Sequence, residues 1–114
     1  MKKEHQEVFI MGVSEIKVAR FLHYTDYFKH LYEYVKKELR PYSFLKFSED
    51  LGLGAKNNTL RLIIAGQRRL SMTNGMRVAD ALQFNGYEKK FFCALISFNN
   101  STLIADREAQ FKQH

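Results

Sequence analysis

Apolar side chains recur at helical spacing through most of this chain, and that period, more than any single motif, limits what it can fold into. The clearest stretch is Phe28, Leu31, Tyr32, Val35 and Leu39, which share one helix face while Lys29, Lys36 and Lys37 fall on the other. Thr25 is the expected N-cap, and Asp26 suits the positive end of the helix dipole. Pro41 disfavours helical geometry in the residue before it, so this helix must stop near Leu39 or Arg40.

The same period resumes after each breaker. Ser43 caps a helix that runs to about Leu51, buries Phe44, Phe47 and Leu51, and ends at Gly52. In Gly52-Leu53-Gly54, a lone leucine between two glycines predicts a tight corner with Leu53 turned inward. A third helix follows from about Ala55 or Lys56 to Ala65, closed by Gly66. Leu60, Ile63 and Ile64 form its core side, with Lys56, Asn57, Asn58 and Arg61 on the remaining face. Ser71 caps a fourth, with Met76, Val78, Ala79 and Leu82 inward and Gly75 allowing close helix approach. Asn85 with Glu88 three residues later is a capping-box start for a fifth, carrying Phe91, Phe92, Leu95, Ile96 and Phe98. Asn99-Asn100-Ser101-Thr102 is expected to break it, leaving a last short helix from Leu103 to Phe111.

With 114 residues, 46% of them hydrophobic, the chain suits one core, whose bulk ten Phe and six Tyr supply. The expected fold is therefore all-α, a compact domain of five to six helices over residues 24–114, preceded by an N-terminal arm over residues 1–23. Within the arm, the run from Val8 to Val13 is too apolar to remain in water. Two readings fit it: an extended segment there, or a short helix capped by Ser14 and running through Leu22, with Ile16, Ala19 and Phe21 or Leu22 inward.

Charge is more informative by location than by total. The net charge is +6, and the stretch between Asp50 and Asp80 holds no acid but five bases: Lys56, Arg61, Arg68, Arg69 and Arg77. Elsewhere 13 bases face 12 acids, so nearly the whole surplus lies in this window. A solvated helix face normally mixes signs, whereas a one-signed field attracts an anionic partner. A bland reading exists for part of it, since Arg77 can pair with Asp80 on the same helix face.

Other classes find little support. No phosphate-binding glycine loop, nucleophile elbow or paired carboxylates point to an enzyme. The four histidines are scattered without carboxylate or thiol partners at ligand spacing, so neither metal nor cofactor is expected. The single Cys93 lies among aromatics and reads as a small packing residue. It cannot form an internal disulfide, and no apolar run approaches the roughly 20 residues of a membrane span, which together fit a cytoplasmic protein.

Two short helices joined by a glycine corner, the second bearing Asn and Arg outward, match the helix-turn-helix arrangement over Gly52 to Arg69. Asn pairs bidentately with adenine and Arg with guanine in the major groove, so Asn57, Asn58 and Arg61 are the residue types that base reading needs. Helix capping competes for one of the two asparagines.

Phe47-Ser48-Glu49-Asp50-Leu51-Gly52-Leu53, then Leu60 and Ile63, Gly66-Gln67-Arg68-Arg69-Leu70-Ser71 and Val78-Ala79-Asp80-Ala81-Leu82 resemble the lambda-repressor-like, or XRE-type, helix-turn-helix domain. Within it, Asn58 to Leu82 with Glu88-Lys89-Lys90-Phe91-Phe92 and Phe98-Asn99 resemble a bacterial group in which this module usually precedes a larger domain of unassigned function. The resemblance implies that Lys56, Asn57, Asn58 and Arg61 face double-stranded DNA, and that Gln67, Arg68 and Arg69, in the loop beyond, reach phosphates. It implies a transcriptional regulator. A homodimer is expected because one reading helix covers only a few base pairs, with Val8 to Val13 and Leu103 to Phe111 as candidate contacts. The alternative is a helical protein-interaction module that keeps the fold without recognising DNA.

Overall fold

Six α-helices follow one another in the computed structural model, which describes residues 4–54 and 58–112, with side chains as far as Ser101: α1 (His5–Glu15), α2 (Tyr24–Glu38), α3 (Phe44–Asp50), α4 (Thr59–Ile64), α5 (Met72–Ala81) and α6 (Gly86–Lys112). A single 3-10 turn, Val18–Arg20, separates α1 from α2, and no strand occurs among the described residues. The fold is all-α. No helix among them is long and apolar enough to cross a membrane.

The capping chemistry behaves as its residue types demand. The Ser43 hydroxyl accepts from the Lys46 amide at 3.0 Å, and the Ser71 hydroxyl from the Asn74 amide at 3.1 Å. Asn85 and Glu88 close a reciprocal box, Glu88 N–H donating to Asn85 Oδ1 at 2.8 Å and Asn85 N–H to Glu88 Oε1 at 3.0 Å. Leu39 is the C-cap of α2, just ahead of Pro41. Helix α2 begins earlier than expected, because its N-cap is His23, whose Nδ1 accepts from the Thr25 amide at 3.2 Å.

Helix α2 is the hub, packed by α1, α4 and α6, while α5 packs on α6. It buries Tyr24, Tyr27, Phe28, Leu31 and Val35. One aromatic cluster joins Tyr27, Phe28, Phe84 and Phe92, and a second joins Tyr32, Tyr42, Phe44 and Phe47. Gly75 is required where α5 meets α6, since an added Cβ would lie 2.3 Å from Ile96 Cδ1, itself fully buried. Cys93 lies 3.9 Å from Met76 Sδ in the same seam.

Two expectations need correction. The Val8 to Val13 run is helical, and Ser14 lies inside α1 rather than capping a later helix. Burial explains this: Val8, Phe9, Gly12 and Val13 form one buried face, and Gly12 lets α1 approach Tyr34 and Val35 of α2. Most of the proposed N-terminal dimer contact is thus covered by the chain's own α2, and residues 1–23 contribute Phe9, Val13 and Val18 to the shared core. Between Ile16 and Leu22 only the 3-10 turn forms, leaving Ala19 and Leu22 exposed.

The second correction concerns Asn99-Asn100-Ser101-Thr102, which do not break α6; it continues to Lys112. These asparagines escape the usual competition with helical backbone because their side chains are engaged across the fold. Asn99 Oδ1 accepts from the Tyr24 amide at 3.1 Å while its Nδ2 donates to the Leu22 carbonyl at 2.9 Å. Asn100 Nδ2 donates to the Leu70 carbonyl at 3.0 Å. Phe98, expected inward, is exposed. The side chains of Leu103 to Phe111 lie outside the described residues.

Candidate nucleic-acid interface

The corner between α3 and α4 is set by glycine. Gly52 and Gly54 adopt φ of 79° and 78°, which side chains rarely tolerate, and a Cβ at Gly52 would lie 3.2 Å from the Arg77 carbonyl of α5. Leu53 and Gly52 amides return to Ser48 and Glu49 carbonyls, both at 3.0 Å, ending α3 in a Schellman pattern. The buried Ser48 hydroxyl donates to the Gly54 carbonyl at 2.6 Å, tying the corner to the helix. Leu53 is half-buried.

Helix α4 starts later than its sequence pattern suggests, at Thr59, and is closed by Gly66 at φ 78°. Thr59, Leu60 and Ile63 are buried, so Arg61 must face outward. Asn58 is exposed at the N-cap position, and its side chain makes no capping hydrogen bond. Lys56 and Asn57 lie outside the described residues. Asn58 and Arg61 share a shallow dent with Phe44 and Leu45 of α3, in which the Arg61 guanidinium sits 5.7 Å from the Phe44 ring centroid.

The second group of expected residues belongs to the loop after α4. Gln67 and Arg68 are exposed and Arg69 is half-buried. Gln67 and Arg68 amides return to the Leu62 carbonyl at 2.9 and 3.2 Å, folding the loop back onto α4. Arg68 Nη1 then donates to the Thr59 hydroxyl at 3.2 Å, which carries its guanidinium beside the first turn of α4. Arg68 therefore links the two groups across one surface.

The loop is anchored from behind by residues that composition could not single out. The Tyr24 hydroxyl accepts from the Leu70 amide at 3.1 Å and donates to Asn100 Oδ1 at 2.9 Å, while Asn100 holds the Leu70 carbonyl. Leu70 thus has both backbone groups fixed, immediately after Arg69. The pairing joins positions 46 and 30 residues apart, a separation that helical periodicity does not report. In front of this anchor lies an open groove of about 550 Å³ between the start of α2 and the loop, with Ile63, Ile64 and Ala65 on one side and His23 and Thr25 on the other.

Electrostatics separates this surface from the rest of the molecule. Among the described residues the ion pairs are Lys46–Glu49 and Asp80–Lys89, and His5 is hydrogen-bonded to Asp50. Asp50, the acid preceding the basic window, is occupied by His5 Nε2 at 2.7 Å and the Tyr42 hydroxyl at 2.6 Å. Asp80, the acid following it, pairs with Lys89 at 3.1 Å rather than with Arg77. Arg61, Arg68, Arg69 and Arg77 take part in no described ion pair. The described residues hold no group of three or more His, Cys, Asp or Glu side chains placed to hold a metal ion.

No family model, curated protein or solved structure matches this chain.

Proposed function

We propose that this chain is a lambda-repressor-like helix-turn-helix domain that binds double-stranded DNA and regulates transcription in the cytoplasm as a homodimer, with α3 and α4 as the two helices of the motif. One observation carries the reading: Arg61, Arg68 and Arg69 lie on α4 and its loop and form no ion pair among the described residues, and Asn58, beside Arg61, makes no side-chain capping bond. A protein surface that serves only solubility mixes signs, whereas duplex DNA neutralises a row of unpaired guanidinium groups. Asn58 and Arg61 are assigned to base edges, with Lys56 and Asn57 preceding them in sequence, and Gln67, Arg68 and Arg69 to phosphates. Dimerisation supplies the second half-site that so short a reading helix requires.

The test is a titration of preferred and random duplexes over a salt series. Arg68→Ala is expected to weaken both duplexes about equally and lower the salt slope by about 1, while Asn58→Ala costs ~1–3 kcal/mol, mainly on the preferred site. Equal losses on both duplexes for both variants would remove the division of roles. A folded chain with no salt-dependent duplex binding would leave the protein-interaction module in its place.

A further inference from the structure

The groove beside the loop is lined by an unusual set of polar groups. Arg68 and Arg69 offer only N–H donors, and Gln67 adds an amide. On the opposite wall, His23 Nδ1 is committed as an acceptor, because the Thr25 amide donates to it at 3.2 Å. The Thr25 hydroxyl, 2.8 Å from the same nitrogen, must then donate to it as well, which places the imidazole proton on Nε2. That Nε2–H has no hydrogen-bond partner among the described residues. No acid among the described residues lines the groove, and Ile63, Ile64 and Ala65 give it an apolar side.

The amino end of α2 does not itself create this chemistry. Its Tyr24 and Thr25 amides are already taken by Asn99 and His23. What remains is a recess with side-chain donors from both α2 and the loop, and an apolar surface from Ile63, Ile64 and Ala65 on the α4 side. Such a recess suits an acceptor-rich anion attached to an apolar group, which describes a phosphodiester and its deoxyribose.

We propose that this groove seats a backbone phosphate of bound DNA, with His23 Nε2–H and Arg69 donating from opposite walls and Thr25 holding the imidazole in the required tautomer. The proposal rests on the DNA-binding reading and extends the contact surface from the loop to the start of α2, adding His23 as a phosphate ligand.

His23→Asp separates the two roles of this side chain. Aspartate is a preferred N-cap and keeps the Thr25 amide satisfied, but it replaces a donor with an anion. It is expected to weaken preferred and random duplexes by the same factor, about tenfold or more, while thermal stability is retained. His23→Ser, also a preferred cap, should weaken both about threefold, and Arg69→Ala should lower the salt slope by about 1. Lys37→Ala removes one positive charge at the far end of α2 and controls for net charge.

If the wild type binds duplex DNA and His23→Asp binds no more weakly than Lys37→Ala, the phosphate seat is wrong and the DNA reading stands. If the wild type binds no duplex at low salt, both fall. In nuclear magnetic resonance titrations, duplex DNA should shift the His23 ring signals. A shift produced by inorganic phosphate but not by duplex would make the groove a free-anion site and overturn the proposal.

Discussion

Two regions of this molecule treat their polar groups in opposite ways. Where α2, α5 and α6 meet, Asn99, Asn100, Tyr24 and Leu70 are joined by five hydrogen bonds that also take in Leu22, and the start of α6 is closed by the Asn85–Glu88 box. At the corner of α3, α4 and the loop, Asn58 makes no capping bond, and Arg61, Arg68 and Arg69 form no ion pair among the described residues. The first region uses polar chemistry to fix geometry, since a buried donor without a partner is costly. The second leaves donors in solvent, where they cost little and stay available to a partner. Substitutions in the first should therefore report on folding, and substitutions in the second on binding.

The largest effect is expected at Asn99, which is buried and answers two backbone groups, the Tyr24 amide and the Leu22 carbonyl. Asn99→Ala leaves both without their partner. At ~1–3 kcal/mol for each unsatisfied group, denaturant unfolding should show a loss of about 2–6 kcal/mol. A loss under about 1 kcal/mol would mean that water replaces the side chain, and the seam would not differ in kind from the open corner.

The same residues show what the sequence could and could not say. Helix content, the caps at Ser43, Ser71 and Asn85–Glu88, the glycine corner and the outward direction of Arg61 on α4 were legible, because each depends on neighbours within a turn or two. The continuity of α6 was not. Asn99 and Asn100 break helices when their side chains turn back on local backbone, and here those side chains bond to positions 75 and 76 residues away. Val8 to Val13 was equally ambiguous, because a short apolar run has no period of its own and only α2 selects the helix. His23 stayed hidden for a related reason: histidine is not a customary cap, and its ring becomes notable only with Arg69 on the facing wall of the groove.

A middle-sized effect comes from an exception within the satisfied region. The Tyr27 hydroxyl is fully buried with no hydrogen-bond partner among the described residues. Desolvation, reinforced by the Glu88 charge, holds its pKa far above the usual value near 10. Burial, and then the hydrogen bond to Asp50, raise Tyr42 likewise. In the unfolded chain both ionise near pH 10, whereas in the fold both remain neutral, so the unfolded state binds fewer protons there. Their contribution is therefore complete below about pH 10 and is lost as the pH climbs above it. Tyr27→Phe removes an unanswered hydroxyl and should stabilise the fold by about 1 kcal/mol at neutral pH, with a shallower decline in the unfolding midpoint above pH 10. Destabilisation beyond about 1 kcal/mol would show that the hydroxyl has a partner after all, such as a bound water.

The smallest effect on folding is expected on the other side of the comparison, at Arg61. Its backbone belongs to α4, its side chain is exposed, and its guanidinium approaches the Phe44 ring at 5.7 Å. An exposed contact of this kind contributes ~0.5–1 kcal/mol, and alanine returns part of it through higher helix propensity. Arg61→Ala should therefore move the unfolding free energy by no more than about 0.5 kcal/mol, against about 2–6 for Asn99→Ala. Chemical denaturation of the two variants side by side checks the ratio. If Arg61→Ala proved as costly as Asn99→Ala, the guanidinium would be holding α3 and α4 together, and a group that holds the fold together is not free to leave Phe44 for a base edge.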